Sequence, residues 1–376
     1  MKMMKTVMSA AVVAVSMVGC GGQSADEVVP ASVTAELTDG NKFFGSDTLK
    51  GAMITANASS LASLSIEGKG SSVGEGCVRT GSIVGVITYC SGRQQTLAPM
   101  SRDYRATSTA CAGGTGTGGT DNNGNPRNGA CCPGEKSNVI ALDAVNAFVK
   151  SDNGLTNISR DDLASLFFSS YRRTVGGVVT TVTGACWTDW SQVPGSTRTG
   201  AIKVFRRDDL SGTTEVFKEK VAENTSAAFC PGVVTITDAA ATNPSPCTTS
   251  DSATVCIGKL TASDETAIGF AGDSAKTTGN VAVSVNGIAP TAANVRKLIT
   301  DPANAYPLAR QIFLNENVNF VKDAKEQTLF DWIYSNKSSF QNILVGQGFI
   351  PCSSTGALRC GGAANDGRGA GLCKGI

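Results

Sequence analysis

The sequence predicts an α/β protein built as two lobes. Some 350 residues follow an N-terminal leader, roughly twice what one core of ~150 residues needs. Short apolar runs alternate with amphipathic stretches of helical period. Aromatics are scarce, at 6%, while glycine is abundant, 43 among 376 residues, which suits many loops between short elements.

The apolar runs are Leu64 to Ile66, Ile83 to Tyr89, Val139 to Leu142, Ile202 to Phe205, Val233 to Ile236 and Ile268 to Phe270. Continuous apolar runs of this length suit strands buried on both faces, so parallel sheets are expected. Helical spacing marks Asp161 to Phe168, Thr213 to Ala222, Ala292 to Ile299, Asn317 to Ser335 and Ser338 to Val345.

The chain opens with Lys2 and Lys5, an apolar run from Val7 to Val18, and then Gly19-Cys20. That run is shorter than the ~20 residues needed to cross a bilayer. It reads as a signal peptide over residues 1–19 ending at a lipidated Cys20, with residues 20–34 as tether. The competing reading is an ordinary secretory signal with a nearby free cysteine. Residues 35–105 and 288–376 are expected to form the first lobe and 138–287 the second, with a Cys/Gly-rich insertion over 106–137.

Of thirteen cysteines, twelve remain after Cys20. An even number in an exported chain implies disulfides, whose connectivity the spacing leaves open; Cys77 with Cys90 and Cys247 with Cys256 are the local options. Metal binding is not expected, because there is no CxxC pair and no histidine. The missing histidine also removes the commonest general base and with it every Ser-His pair. The formal charge of +1 argues against nucleic acid.

The stretch from Cys111 to Cys132 reads as loop chemistry throughout. Gly114-x-Gly116-x-x-Gly119 lacks the strand and helix of a dinucleotide fingerprint. Asp121-x-Asn123-x-Asn125 lacks the glycine and closing acid of a calcium loop. Trp187 and Trp190 read as buried packing rather than as a stacking pair for a ligand.

The informative stretch is Val204 to Phe217, VFRRDDLSGTTEVF. A strand ends in Arg206-Arg207, and Ser211-Gly212-Thr213 opens a helix, whose free N–H groups and partial positive charge favour an anion. Arg207 offers a planar fork, with Asp209 to hold it. The plainer reading is a helix cap by Ser211 among surface ion pairs. Ser46-Asp47-Thr48-Leu49, Ser71-Ser72 and Ser101-Arg102-Asp103 offer similar hydroxyl-rich turns. Four such turns converging on one tetrahedral anion would need no metal.

GSDTL, GSSVG, the MSR triplet, RRDDLSGTT, AIGFAG, YPLAR and LFDWIYS occur in an order that resembles the phosphate-binding receptors of phosphate-specific ABC transporters, over roughly residues 40 to 352. The resemblance implies a type II periplasmic-binding-protein fold, with two α/β lobes, each a mixed sheet flanked by helices, joined by two crossover segments. It implies inorganic phosphate as ligand and an ABC permease as partner, with neither enzyme activity nor cofactor. By match to the family's motifs it implies Ser46, Thr48, Leu49, Ser72, Ser101, Arg102, Arg207, Asp209, Ser211, Gly212 and Thr213 as phosphate ligands. Some members carry an aspartate at the position of Arg102. An arginine cannot accept the hydrogen bond of a protonated phosphate, so Asp47 or Asp103 is expected to do so. The expected protein is a monomer, lipid-anchored in the bacterial cell envelope. The alternative is a surface-anchored scavenger or structural lipoprotein of the same fold.

Overall fold

Residues 139–150, VIALDAVNAFVK, form one strand in which every position but the last is buried. The computed structural model describes residues 42–79, 95–105, 117–120, 126–132, 134–353, 355 and 358–375. The leader, Cys20, the tether and the expected strand at Ile83 to Tyr89 lie outside the described residues.

In chain order, β1 (Lys42–Gly45), α1 (Lys50–Ser60), β2 (Ser65–Gly68), α2 (Ser71–Val78) and β3 (Leu97–Met100) come first. A hairpin of β4 (Thr117–Thr120) and β5 (Pro126–Cys131) precedes β6 (Glu135–Lys136) and the long β7 (Val139–Lys150). Then follow β8 (Asn157–Ile158), α3 (Arg160–Phe167), a second hairpin of β9 (Ser170–Val175) and β10 (Val178–Thr183), β11 (Lys203–Arg207) and α4 (Gly212–Ala222). Next come β12 (Val234–Ile236), α5 (Ala253–Ser263), β13 (Ala267–Gly272), β14 (Asn280–Ala282), β15 (Ser284–Val285) and α6 (Ala292–Thr300). The chain finishes through β16 (Ala309–Asn317), α7 (Ala324–Ser335), α8 (Lys337–Gly346) and β17 (Ile350–Pro351).

The main sheet has the order β12-β11-β13-β7-β16-β3. Its centre, β7, changes partners along its length. Val139 to Ala144 pair antiparallel with β16, and Val145 to Val149 pair antiparallel with β13. One strand therefore belongs to both halves of the sheet. The chain returns beside the same point, where the Val145 amide donates to the Leu308 carbonyl at 3.0 Å. The sheet is mixed, as the resemblance implies, and corrects the parallel reading of the apolar runs alone: β11 runs parallel to β12 and β13, but the β7, β16 and β3 ladders are antiparallel. Apolar runs report burial of both faces and carry no information on strand direction.

Two further expectations change. Part of the Cys111 to Cys132 stretch is the β4–β5 hairpin rather than loop throughout. The helix expected from Asn317 starts at Ala324, because Asn317 ends β16 and the Asp323 carboxylate caps the Lys325 and Glu326 amides at 2.9 and 2.8 Å. In α3, Ser159 caps the Asp162 amide, and Asp161 and Asp162 complement the positive end of the helix.

In the β11–β13 half, Phe217 of α4 stacks on Phe270 of β13 with centroids 3.9 Å apart, and Phe167 of α3 meets Phe217 edge-on at 5.0 Å. In the other half, Met53 of α1 packs with Ile312 of β16, Leu329 of α7 and Phe340 of α8. Trp190 is fully buried and its indole donates to the Thr266 carbonyl at 3.1 Å; Trp187 packs against the same core. Both tryptophans are packing residues.

Disulfides join Cys131 to Cys373, Cys186 to Cys230, Cys247 to Cys256 and Cys352 to Cys360. Cys77 is disulfide-bonded as well, while Cys90 lies outside the described residues. Among the described residues one close set of potential metal ligands occurs, Cys131, Glu135 and Cys373, and both of its sulfurs are spent in a disulfide.

Candidate anion-binding site

Successive residues of an extended strand face opposite sides, and this sorts the two arginines that end β11. Arg206 points outward, with its guanidinium 4.3 Å from the centre of the Phe229 ring. Arg207 points inward and is fully buried. Its Nη1 donates to Thr254 Oγ1 at 2.6 Å and its Nη2 pairs with Asp47 Oδ2. Arg207 Nε and Asp47 Oδ1 are buried without a hydrogen-bond partner among the described residues. Burial pulls the Arg207 guanidinium below its usual pKa, while Asp238 and Asp208 work against that shift.

The turn after β11 leads into α4. Ser211 is its N-cap and accepts the Thr213 amide at 3.2 Å. Ser46 caps the 3-10 turn after β1 in the same way, accepting the Thr48 amide at 3.2 Å. The two turns meet: Thr48 Oγ1 lies 3.1 Å from Thr213 Oγ1. Ser71, at the start of α2, accepts the Ser101 amide at 2.9 Å, and the two hydroxyls are 3.1 Å apart. Gly212 lies against both serines, since a Cβ there would come within 2.5 Å of Ser71 Oγ and 2.6 Å of Ser101 Oγ. Ser46, Thr48, Ser101, Arg207, Ser211, Gly212 and Thr213 are therefore brought together, from turns as far as 165 residues apart in the chain.

Ser72 lies at the edge of this group, and Arg102 Nη2 reaches its hydroxyl at 3.4 Å. Arg102 itself is spent elsewhere. Its Nη2 pairs with Glu75 at 2.6 Å, its Nε with Glu215 at 2.6 Å, and its Nη1 donates to the Asp103 carbonyl at 2.8 Å. Burial opposes charge on Glu75, yet Arg102, Arg79 and Arg105 hold its carboxyl at about 2.

Leu49 enters by position only. Its side chain is core, and its amide closes the turn onto the Ser46 carbonyl at 3.2 Å. Asp209 does not hold Arg207, a correction to the sequence reading. It is exposed and pairs with Arg206 at 3.0 Å and Lys218 at 3.1 Å, and the acid on Arg207 is Asp47. Of the two expected acceptors, Asp47 is in the group and Asp103 is not. The Asp103 carboxylate accepts the Tyr104 amide at 2.7 Å, the Ser137 hydroxyl, and the Leu372 amide at 2.8 Å.

One site residue escaped the sequence reading. Arg310 of β16 donates through Nη1 to Thr213 Oγ1 at 2.9 Å, and through Nε and Nη2 to Asp143 Oδ2 at 3.0 and 2.5 Å. A usable signal was present, because Asp143 and Arg310 are charges next to apolar residues inside buried strands, and such charges must be paired. Two cavities border the group. One of 260 Å³ is lined by Asp47, Gly70, Asp208 and Ser211, and one of 410 Å³ by Arg102, Arg105, Glu215 and Arg310.

The arrangement offers a buried guanidinium, several hydroxyls, a helix N-terminus and one carboxylate around a small space. It suits a compact oxyanion. Two solved structures share the fold. One is an ABC-type phosphate transport receptor from Vibrio cholerae, with a TM-score of 0.53 and 16% identity over 82% of this chain and 98% of that one. The other is a putative phosphate ABC transporter substrate-binding protein from Clostridium perfringens, with a TM-score of 0.52 and 16% identity over 83% and 99%. A curated protein of Pseudomonas aeruginosa named alkaline phosphatase L is 50% identical over 50 residues. That match spans 13% of this chain and 13% of the relative. The family model described as the PBP superfamily domain matches residues 135–335, which include β7, β11, α4 and β16. With more than half its length in that match, and with solved structures of the same fold, the chain belongs to the PBP superfamily.

Proposed function

We infer that this protein is a receptor for inorganic phosphate that closes on the anion and hands it to an ABC permease. One observation carries the reading. In the same buried group, among the described residues, Arg207 Nε and Nη2 have no hydrogen-bond acceptor and Asp47 Oδ1 has no donor, although Nη2 forms an ion pair with Asp47 Oδ2. An unmet buried donor or acceptor costs about 1–3 kcal/mol, so a ligand that satisfies both at once is favoured. Such a ligand accepts from arginine and donates to aspartate, which describes a protonated tetrahedral oxyanion. Phosphate carries a proton at neutral pH and sulfate does not.

Thr48, Thr213, Ser211, Ser101, Ser72 and the first amides of α4 supply the remaining donors. The proposed hinge lies where β7 changes partners: residues 35–105 and 288–376 form one lobe, joined by the Val139–Ala144 end of β7, and the rest of 138–287 forms the other. Cys20 carries a lipid that holds a monomer in the cell envelope. Calorimetry with the processed protein tests the ligand: micromolar or tighter phosphate binding without sulfate binding is expected, and silence at millimolar phosphate ends the reading.

A second reading rests on the short match to alkaline phosphatase L. Hydrolysis of a phosphomonoester needs a base beside Ser211 or Thr213, and the carboxylate that meets this group, Asp47, is paired with Arg207. The site is therefore read as non-enzymatic, and release of p-nitrophenol from its phosphate ester above the blank would reverse that.

A further inference from the structure

Arg102, an anion ligand by the family resemblance, is held between two carboxylates in the structure. It lies just after β3 with Arg105, and both reach Glu75, Arg102 at 2.6 Å and Arg105 at 2.9 Å. Arg79 reaches the same carboxylate at 2.9 Å. Glu75 is fully buried and shared among three guanidiniums, so it neutralises Arg102 only in part. Glu215 completes the neutralisation from across the site, where it belongs to the first turn of α4. It reaches Arg102 Nε at 2.6 Å and Arg105 Nε at 3.8 Å.

We propose that Glu215 is the latch of the closed state, a positioning residue whose ion pairs with Arg102 and Arg105 tie α4 to the segment after β3 and set how slowly phosphate is released. The proposal rests on the phosphate reading above.

Three physical points support it. The pair joins the β11–β13 half to the β3–β16 half, so opening breaks it. Opening returns both Glu215 and the Arg102 Nε edge to water, while Arg102 keeps its pair with Glu75. The pair therefore adds to the closed state alone, and it acts on release rather than on capture. Without these guanidiniums, moreover, a carboxylate in the first turn of α4 would repel an anion bound at that helix start. Arg102 thus helps the anion by occupying Glu215. The pair borders the 410 Å³ cavity, and the Arg105 side chain is 43% exposed there, so salt can reach it.

The test is stopped-flow phosphate release from the full chain. Glu215→Gln is expected to release phosphate about tenfold faster, equivalent to ~1.4 kcal/mol, with association changed less than about twofold. Release from the wild-type chain should quicken with added salt, and release from Glu215→Gln should respond less. Arg105→Gln, at an exposed position, keeps the measurement possible if Glu215→Gln fails to fold. It should quicken release by a smaller factor, and the salt response should shrink. Release at the wild-type rate from either folded variant, or an unchanged salt response, overturns the latch while leaving the phosphate reading intact. Absence of phosphate binding by the wild-type chain overturns both.

Discussion

Arg310 on β16 stands directly opposite Asp143 on β7 and gives its remaining nitrogen to Thr213 at the start of α4. A single buried ion pair thus connects the strand shared by both halves of the sheet to the candidate anion site. Its arginine side chain is 2% exposed and its aspartate side chain 0%. Removing one partner strands the other in the interior. Arg310→Met is expected to lower unfolding stability by about 3–5 kcal/mol and to weaken phosphate binding, whereas the double variant with Asp143→Asn should lose less than the sum of the singles. Urea unfolding of the four proteins measures this coupling.

Asp47 is the proposed discriminator. Asp47→Asn can still donate or accept, but it no longer demands a proton from the ligand. Phosphate affinity should fall roughly 10- to 100-fold and sulfate should become a measurable ligand. Asp103→Asn should leave the preference for phosphate unchanged, because that carboxylate serves Ser137 and the Leu372 amide. Competition calorimetry separates the two; sulfate rejection by Asp47→Asn would assign the discrimination to another group.

Gly212→Ala tests closure. A methyl group there meets the Ser71 and Ser101 hydroxyls at 2.5 and 2.6 Å, and Gly212 lies at a helix start where alanine is otherwise tolerated. The variant should fold with near-normal thermal stability and bind phosphate at least about tenfold more weakly. Scattering curves should show it failing to contract on adding phosphate.

Glu75 makes stability depend on acid. Held at about 2, below the ordinary glutamate value of 4.5, its carboxyl contributes in full above about pH 4.5, and the contribution is lost as pH falls toward 2. A depression of this size contributes roughly 3 kcal/mol at neutral pH. Unfolding free energy measured from pH 5 down to pH 2 should drop more steeply in the wild type than in Glu75→Gln, which lacks that titration.

The tail is bound by Cys131–Cys373, a bridge of 242 residues' separation. Replacing both cysteines by serine should cost about 2–5 kcal/mol and free the last residues for proteolysis. Limited trypsin digestion, which cuts after Lys374 and Arg368, reads this out directly.

Much was legible before any coordinates. The helix starts at Ser159, Ser211 and Thr291 follow from local chemistry, because a hydroxyl that caps a backbone amide acts within three residues of itself. The buried strands follow from apolar runs, and the Ser211-Gly212-Thr213 turn from its small hydroxylated residues before an amphipathic helix. The break at Asp323 could also have been read locally, yet the apolar residues before it suggested a longer helix.

Other features depended on distance in the chain. Strand direction in the β7, β16 and β3 ladders is set by how the chain returns, which an apolar run does not encode. The partner of Arg207 is a carboxylate 160 positions earlier, and neighbouring Asp209 faces solvent because strand and turn geometry send it outward. Arg102 reads as an anion ligand in a short motif, and its pairing with Glu75 and Glu215 is visible only once the chain is folded. The amino-acid order by itself determined which groups exist and which local turns they cap, since those energies act over a few residues. The tertiary structure alone decided which charges meet, because ion pairs and closure contacts form between segments that only the folded sheet brings within a few ångströms.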